Sequence, residues 1–378
     1  MSTHLRRQHG AMLITSALWL MTLLGFTALA FDIGHLLLVR NELQNDADAA
    51  ALAGANCLNK ATAASGADCT SAPTAALNWS MASTKASSSI GLNKSDGVSL
   101  SGGNVETGYW DINGGTALKA TTLSPVGPCT VTAGVMTSAC DKPAVRVSIS
   151  RATGSNGGSV GTLISSLFGG SAVPVAASAI AVLSSPGSVL PGTLIPQAIN
   201  KCMFDLYWDS VSNAPKLATT TTLNGVSQVI GQPWEIRIGS SYHYPSCDSG
   251  QWTSFQTDSN SENYMKNLIS NGNPAPLNIG DGTYIQPGTK TSLYNELSST
   301  YPTPPGADIY MPVVDYPAGL DGVKSRLPII AFAGFHIVDI QGGSGKYIQG
   351  HFIKGKTMSG SSGIGPYYGI YTPARLAK

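Results

Sequence analysis

Few residues in this chain have the type and spacing to do chemistry. Gly157-Gly158-Ser159-Val160-Gly161 has the G-x-S-x-G form of a nucleophile elbow, which needs a strand before it and a helix after it. It lies instead in "ATGSNGGSVG", a flexible loop, and a chain with 43 glycines produces such a match by chance. "GGSGK" (342–346) looks like a phosphate loop but lacks the earlier glycine and the following Ser/Thr. It reads as a hairpin turn between two strands. His243, Cys247 and Asp248 cluster in "YHYPSCDSG", and His336 and His351 flank the expected hairpin. These residue types can ligate a metal. Histidines in loops and on strands are more often structural, and no metal, catalytic or cofactor-binding residue is assigned.

Two further groups carry chemistry of a structural kind. The six cysteines, at 57, 69, 129, 140, 202 and 247, form no C-x-x-C pair, which weakens zinc-ribbon and thioredoxin readings. Six cysteines allow 15 pairings, and sequence cannot choose among them. The simplest is local: Cys57/Cys69, Cys129/Cys140 and Cys202/Cys247, which requires an oxidising compartment such as the bacterial periplasm. The alternative is six buried thiols. The aromatic cluster Tyr207, Trp208, Trp234, Tyr242, Tyr244, Trp252 and Phe255 would suit a carbohydrate or protein contact surface. It would equally fill the core of a disulfide-bearing β domain, and that reading is preferred.

The elements that must position these groups begin with the N-terminus. Ala11 to Phe31 is 21 residues without a charge, enough for a helix to cross roughly 30 Å of hydrocarbon. Arg6 and Arg7 precede it, so the positive-inside rule puts the N-terminus in the cytoplasm and the bulk outside. Ala28-Leu29-Ala30 has the A-x-A form of a signal-peptidase site. The apolar stretch is long for a signal peptide, however, and continues through Ile33, Leu36, Leu37, Leu38 and Val39. A retained anchor is therefore preferred. Asp32 and His35 interrupt this stretch three residues apart, on one helix face. A charge deep in a bilayer is costly and points to function; near the outer interface, water reaches it. His35 is read in the second way.

Beyond the anchor, Leu36, Val39, Leu43, Ala47, Ala50, Gly54 and Cys57 recur at spacings of 3 and 4, a heptad-like seam that shrinks outward. Small residues let two helices, or a helix and a sheet, approach closely. With no proline before Pro73, one helix from about residue 11 to 58, roughly 70 Å long, is expected.

The segment "RRQHGAMLITSALWLMTLLGFTALAFDIGHLLLVRNELQNDADAAALAGA" resembles the N-terminus of TadG-like proteins of the Tad (Flp) pilus-assembly systems. Arg6, Arg7, Gly10, Asp32, Gly34, Leu43, Gln44, Asn45, Asp48 to Ala51 and Leu52 to Ala55 fill the places of that pattern. A looser likeness covers Ala144 to Leu183. The resemblance implies an inner-membrane anchor with a periplasmic body that helps assemble or anchor an adhesive pilus. Under it, Asp32 marks the outer membrane boundary or pairs with a partner's N-terminal amine or basic group. Many relatives carry a von Willebrand A-type domain with a D-x-S-x-S metal site. "DSVSN" (209–213) and "DSNSE" (258–262) lack the required serines, which speaks against metal-dependent adhesion here. Pilin-like precursors cut after a Gly usually carry Glu five residues on; after Gly10 that place holds Thr15.

In the body, residues 59–105 are rich in Ala, Ser, Thr and Gly and read as loosely structured, with short helical pieces around Ala75 to Met81. "VETGYWD" (105–111), "AVRVSIS" (144–150) and "PVAASAIAVL" (174–183) alternate as strands. "TLISSLFG" (162–169) has the spacing of a short amphipathic helix with Leu163, Leu167 and Phe168 facing in. "SSPGSVLPG" (184–192) is the best linker. Beyond it, "CMFDLYWD", "PWEIRIGS", "TYIQP", "IYMPVVDY" and "KYIQGHFIKG" are short β-type runs, with "IIAFAGFHIVDI" (329–340) as a central strand started by Pro328. "SENYMKNLISNG" (261–272) reads as a capped helix.

The expected architecture is α+β: a long membrane helix continuing into the periplasm, then β-rich, disulfide-containing domains. The divisions are 1–58 for tip, anchor and Ala-rich helix, 59–183 for an α+β domain, 184–192 for the linker and 193–378 for a mostly β domain. Charged residues are only 11% of the chain against roughly 25% in ordinary soluble domains, and the net charge of +1 offers no case for nucleic acid. The expected function is non-enzymatic: a pilus-assembly or envelope-adhesion component in the inner membrane, without cofactors. Its partners would be other pilus-assembly or pilin-like membrane proteins, met through helix 36–57. The alternative is an exported hydrolase or a carbohydrate-binding protein or adhesin.

Overall fold

A computed structural model of the chain describes residues 8–74, 76–122, 131–132, 135–136, 141–164, 172–209, 212–239, 242–244, 247–288 and 290–377. One unbroken helix, α1 (Gln8–Ala55), opens it, 48 residues and about 72 Å long. No proline interrupts it, and the hydroxyls of its apolar half bond inward. Thr22 and Thr27 donate to the carbonyls of Leu18 and Leu23 at 2.7 and 2.8 Å, and Ser16 donates to that of Leu13 at 3.1 Å. A hydroxyl satisfied by its own helix carries little cost in hydrocarbon.

The two halves of α1 live in different surroundings. From Met12 to Phe31 the large apolar side chains are exposed, Trp19 at 73% and Phe26 at 69%. From Val39 onward one face is buried completely: Val39, Leu43, Ala47, Ala50, Ala51 and Ala55. That face lies on α2 (Trp79–Ile90) and on a sheet of β1 (Asn104–Asp111), β2 (Asp141–Arg151) and β3 (Val175–Val182), antiparallel in the order β3-β2-β1. Alternation along β2 and β3 turns Val145, Val147, Ile149, Ala177, Ala179 and Ala181 toward α1. Trp110, Ala144, Ile180 and Val182 form a second cluster on other positions of the same strands.

The region 59–105 is more ordered than its composition predicts. Strands Lys60–Thr62 and Cys69–Pro73 form a hairpin tied to the end of α1 by the Cys57–Cys69 disulfide. Asn78 caps α2, accepting the Met81 N–H at 3.1 Å, and its amide donates to the Lys60 carbonyl at 3.1 Å. The helix thus starts at Trp79, later than expected, and runs to Ile90.

The C-terminal half is built on a seven-stranded sheet: β4 (Gln197–Asn200), β5 (Ile236–Ile238), β6 (Gly250–Thr253), β7 (Gly282–Gln286), β8 (Ala307–Val314), β9 (Arg326–Gln341) and β10 (Tyr347–Phe352). β9 pairs with β7 at Arg326–Pro328, with β8 along Ile329–Ile337, and with β10 from Phe335. Because β4 joins β6 to β8, the strands β9-β7-β6-β4-β8 close on themselves as a ring. The ring has no free edge between these strands. Three helices flank it: α3 (Lys201–Tyr207), α4 (Glu262–Asn271) and α5 (Thr291–Thr300). α4 carries the expected caps, Ser261 accepting from Tyr264 and Gly272 at φ +73°. "CMFDLY", read as a strand, is α3, and the strand beside it is only Trp208–Asp209. The Cys202–Cys247 disulfide fixes α3 to the hairpin at 243–248. Cys129 and Cys140 lie outside the described residues.

The segment 184–192 that joins the halves is packed. Ser184, Ser185 and Val189 are buried, and Ser188–Val189 pairs with Leu277–Asn278 and Ser361–Ser362. β11 (Arg375–Leu376) returns to the first sheet and pairs with Ala181–Val182 of β3.

Candidate functional site: the collar at the foot of the first sheet

A polar network surrounds α1 where its apolar run stops. Asp32 is 7% exposed, and both its oxygens are used: Oδ1 accepts the backbone N–H of Leu163 at 2.6 Å and Oδ2 that of Ile164 at 2.7 Å. A carboxylate bonded in this way caps the start of the helical turn at 163–164 from another element. Within the single chain, both Asp32 oxygens are thus engaged by the chain's own backbone. One turn outward, His35 Nε2 lies 3.0 Å from Asp96 Oδ1, both side chains about a third exposed. This agrees with the reading of His35 as water-accessible.

Asp96 sits with Gly97 at the tip of a hairpin, Lys94–Ser95 against Val98–Ser99, with φ +52° and +72°. Two consecutive positive φ values give the turn whose twist matches a hairpin. The Asp96 N–H donates to Glu42 Oε2 at 2.7 Å, returning the hairpin tip to α1. On its other side stands Arg151, 4% exposed at the end of β2. Its guanidinium donates to the Ser95 carbonyl at 2.9 Å and to the Gly158 carbonyl at 3.0 Å, and lies 3.9 Å from Asp96 Oδ2. Asn156 accepts from the N–H groups of Ser101 and Gly102. Glu42, Asp96, His35, Arg151 and Asp32 together tie the helix to three separate loops. The arrangement fixes the geometry of the helix against these loops.

Above the collar the seam takes over. Of the two covers expected for it, a partner helix or the chain's own first sheet, the structure supplies the second. Leu36 is partly buried and Val39 through Cys57 fully so. At Gly54 a Cβ would stand 2.7 Å from the Ala82 carbonyl oxygen and 2.9 Å from the Ala86 Cβ. Asp46 is also turned inward, 8% exposed with Oδ2 lacking a partner. Burial first, and the Glu42 charge second, raise its carboxyl above the ordinary range.

The other sequence candidates fall elsewhere. Gly157 to Gly161 lies in turns, with Gly157 and Gly158 at positive φ, and its role is to present the Gly158 carbonyl to Arg151. "GGSGK" is the turn between β9 and β10. His243 Nδ1 bonds Asp248 Oδ1, while Cys247 is spent in its disulfide. His336 and His351 face each other across β9 and β10, ring centres 5.2 Å apart, and His336 Nδ1 bonds Asp308 at 2.7 Å. Burial, then the His336 charge, pull His351 down to about 4. Among the described residues, the one group of three whose ligand atoms gather closely is Cys57, Asp68 and Cys69, and there the sulfurs are bonded to each other. Trp208, Tyr244, Trp252 and Phe255 are buried, so most of the aromatic cluster is core. Trp234 is half-buried and lines an open groove of about 930 Å³ with His351, Phe352 and Lys216, Lys354 and Lys356. Leu163, expected to face inward, is 60% exposed; Leu167 and Phe168 lie outside the described residues. The collar hairpin was missed, although Asp96-Gly97 is itself a strong hairpin signal.

A helix long and apolar enough to cross a membrane, continuous with a β-rich, disulfide-bonded body, defines the class. Residues 10–56 match the family described as Flp pilus-assembly TadE/G-like, and residues 42–181 match that described as Tad-like Flp pilus-assembly. Over this helix and first sheet the chain is similar to Tad/Flp pilus-assembly proteins. No curated protein and no solved structure matches it.

Proposed function

We propose that the chain is a non-enzymatic component of Tad/Flp pilus assembly, held in the bacterial inner membrane by α1 and acting outside it through protein–protein contacts. The N-terminus lies in the cytoplasm and the β-rich bodies, divided near residues 184–192, lie in the periplasm. The observation that carries this reading is the continuity of α1 from an exposed apolar half into one whose inner face is fully buried. A partner pulling on or docking to the body meets a lever rigidly joined to the anchor. Arg6 and Arg7 ahead of the span, and two disulfides beyond it, support the orientation.

Since the seam is used internally, contacts of helix 36–57 with a partner fall to its exposed strip, Leu37, Leu38, Asn41, Asn45 and Ala49. Fractionation and protease treatment of spheroplasts test the reading. The expected result is a full-length chain in the inner membrane whose body is digested from outside. A soluble product beginning at Phe31, or a body protected from the added protease, rules out the anchored periplasmic arrangement. A photo-crosslinker at Asn41 or Asn45 is expected to trap another pilus-assembly membrane protein, whereas one at Asn56, beyond the strip, is not.

A further inference from the structure

The apolar run Ala11–Phe31 rises about 31 Å along the helix, which is the thickness of a bilayer's hydrocarbon core. Asp32 follows at once. Whatever is bonded to the Asp32 side chain is therefore held at the membrane boundary, and what is bonded to it is the backbone of Leu163 and Ile164. Leu163 points its side chain outward, 60% exposed, at the level where Phe31 and Ile33 on α1 are exposed at 68% and 50%. An exposed leucine alone needs no explanation. This one is pinned beside a span by two hydrogen bonds from adjacent residues.

We propose that the edge of the first body carrying Leu163 is seated in the interfacial layer of the same membrane that α1 crosses, with lipid as its occupant. The inference rests on the reading of α1 as a span. Asp32 is the device that makes the seat tolerable. At the boundary a carboxylate loses hydration, and a loop facing lipid leaves its N–H groups without water. Here each need meets the other: the two N–H groups bond the two oxygens, and Leu163 is left as the part that enters the lipid. The body then stands on the membrane at two points, α1 and this edge, which fixes its height and tilt.

The test uses the full chain reconstituted in phosphatidylcholine vesicles whose acyl chains are brominated at a chosen depth. An environment-sensitive fluorescent amino acid replaces Leu163, Leu20 in the middle of the span, or Ile230, which is exposed on the second body. Strong quenching is expected at 20 by deep bromines and at 163 by shallow ones, the latter roughly threefold above that at 230. If 20 is quenched and 163 behaves like 230, the seat does not exist while the span stands. If 20 is not quenched, the span fails and the seat with it. Adding Asp32→Ala is expected to reduce quenching at 163 and leave 20 unchanged; quenching at 163 that survives this substitution removes Asp32 from the account.

Discussion

Gly54 of α1 meets Ala82 of α2 so closely that a methyl group on it would stand 2.7 Å from the Ala82 carbonyl oxygen. The obstacle is backbone, which cannot swing aside. Gly54→Val is therefore expected to force the helices apart and to destabilise the first body by about 1–3 kcal/mol, as overpacking does. Gly34→Ala, where nothing lies within 4 Å, is the control and should leave stability intact. Thermal unfolding of the two variants in the same detergent checks the contrast; equal midpoints would show that the close approach carries no weight.

Asp32 makes a prediction of local order. Asp32→Ala removes the acceptor that the part-buried N–H groups of Leu163 and Ile164 use, at about 1 kcal/mol for each bond. Amide exchange at 163 and 164 should accelerate while exchange in β1 to β3 stays slow. Asp32→Asn keeps one acceptor and should fall between.

How much of this was legible beforehand depends on where the information lay. α1 was readable because its pattern is long and unbroken, and β1 to β3 because they alternate. Residues 59–105 looked loose because they are small and polar. Yet Ala82 and Ala86 are completely buried against Gly54, and small residues are what so close a packing requires. α3 was misread because "CMFDLYW" is rich in aromatic residues. Its helix is held by tertiary context, the Cys202–Cys247 bond and the packing of Phe204 among Trp208, Phe352 and Tyr368. In the collar, Asp32 and His35 stood out as oddities. Their partners, 131 and 61 residues away, could not be read from local pattern, and nothing near Arg151 announces that it is buried.

Asp46 is a charge the fold works against. Its folded pKa is raised, by burial and then by Glu42, so the native state binds the proton more tightly than the unfolded chain does. Stability then falls as pH rises from the ordinary carboxyl value through the folded one, and the whole penalty is present at neutral pH. Asp46→Asn is expected to stabilise the protein at pH 7, by something of the order of 1 kcal/mol, and to change little in acid. Denaturation midpoints at pH 3.5 and 7 test this; a variant less stable than the wild type at pH 7 would refute it.

The two described disulfides should differ in weight. Cys202–Cys247 spans 45 residues and Cys57–Cys69 spans 12, so the loop-entropy argument assigns about 4 kcal/mol to the first and about 3 to the second. Replacing both cysteines of one pair with Ala, each pair in turn, is expected to lower the unfolding midpoint more for the longer loop. It should also loosen α3 in one variant and the 60–73 hairpin in the other, visible as localised amide exchange.

Lys142 offers the sharpest pH test. It is buried at the junction of the two halves, its ammonium 3.4 Å from the Gly365 carbonyl, and burial followed by the Arg375 charge lowers its pKa to about 8. In the unfolded chain the value is 10.5. Below pH 8 the ammonium is charged in both states and the fold carries the full cost of burying it. Between pH 8 and 10.5 the native state gives up its proton first, the unfolded state binds more protons, and stability rises with pH. Lys142→Met is expected to be more stable than the wild type at pH 7, by about 1–3 kcal/mol, and to lose most of the rise between pH 7 and 9. Parallel urea titrations at those two values decide the matter. If the wild type gains nothing from pH 7 to 9, or the variant gains as much, Lys142 keeps an ordinary pKa and the junction tolerates its charge.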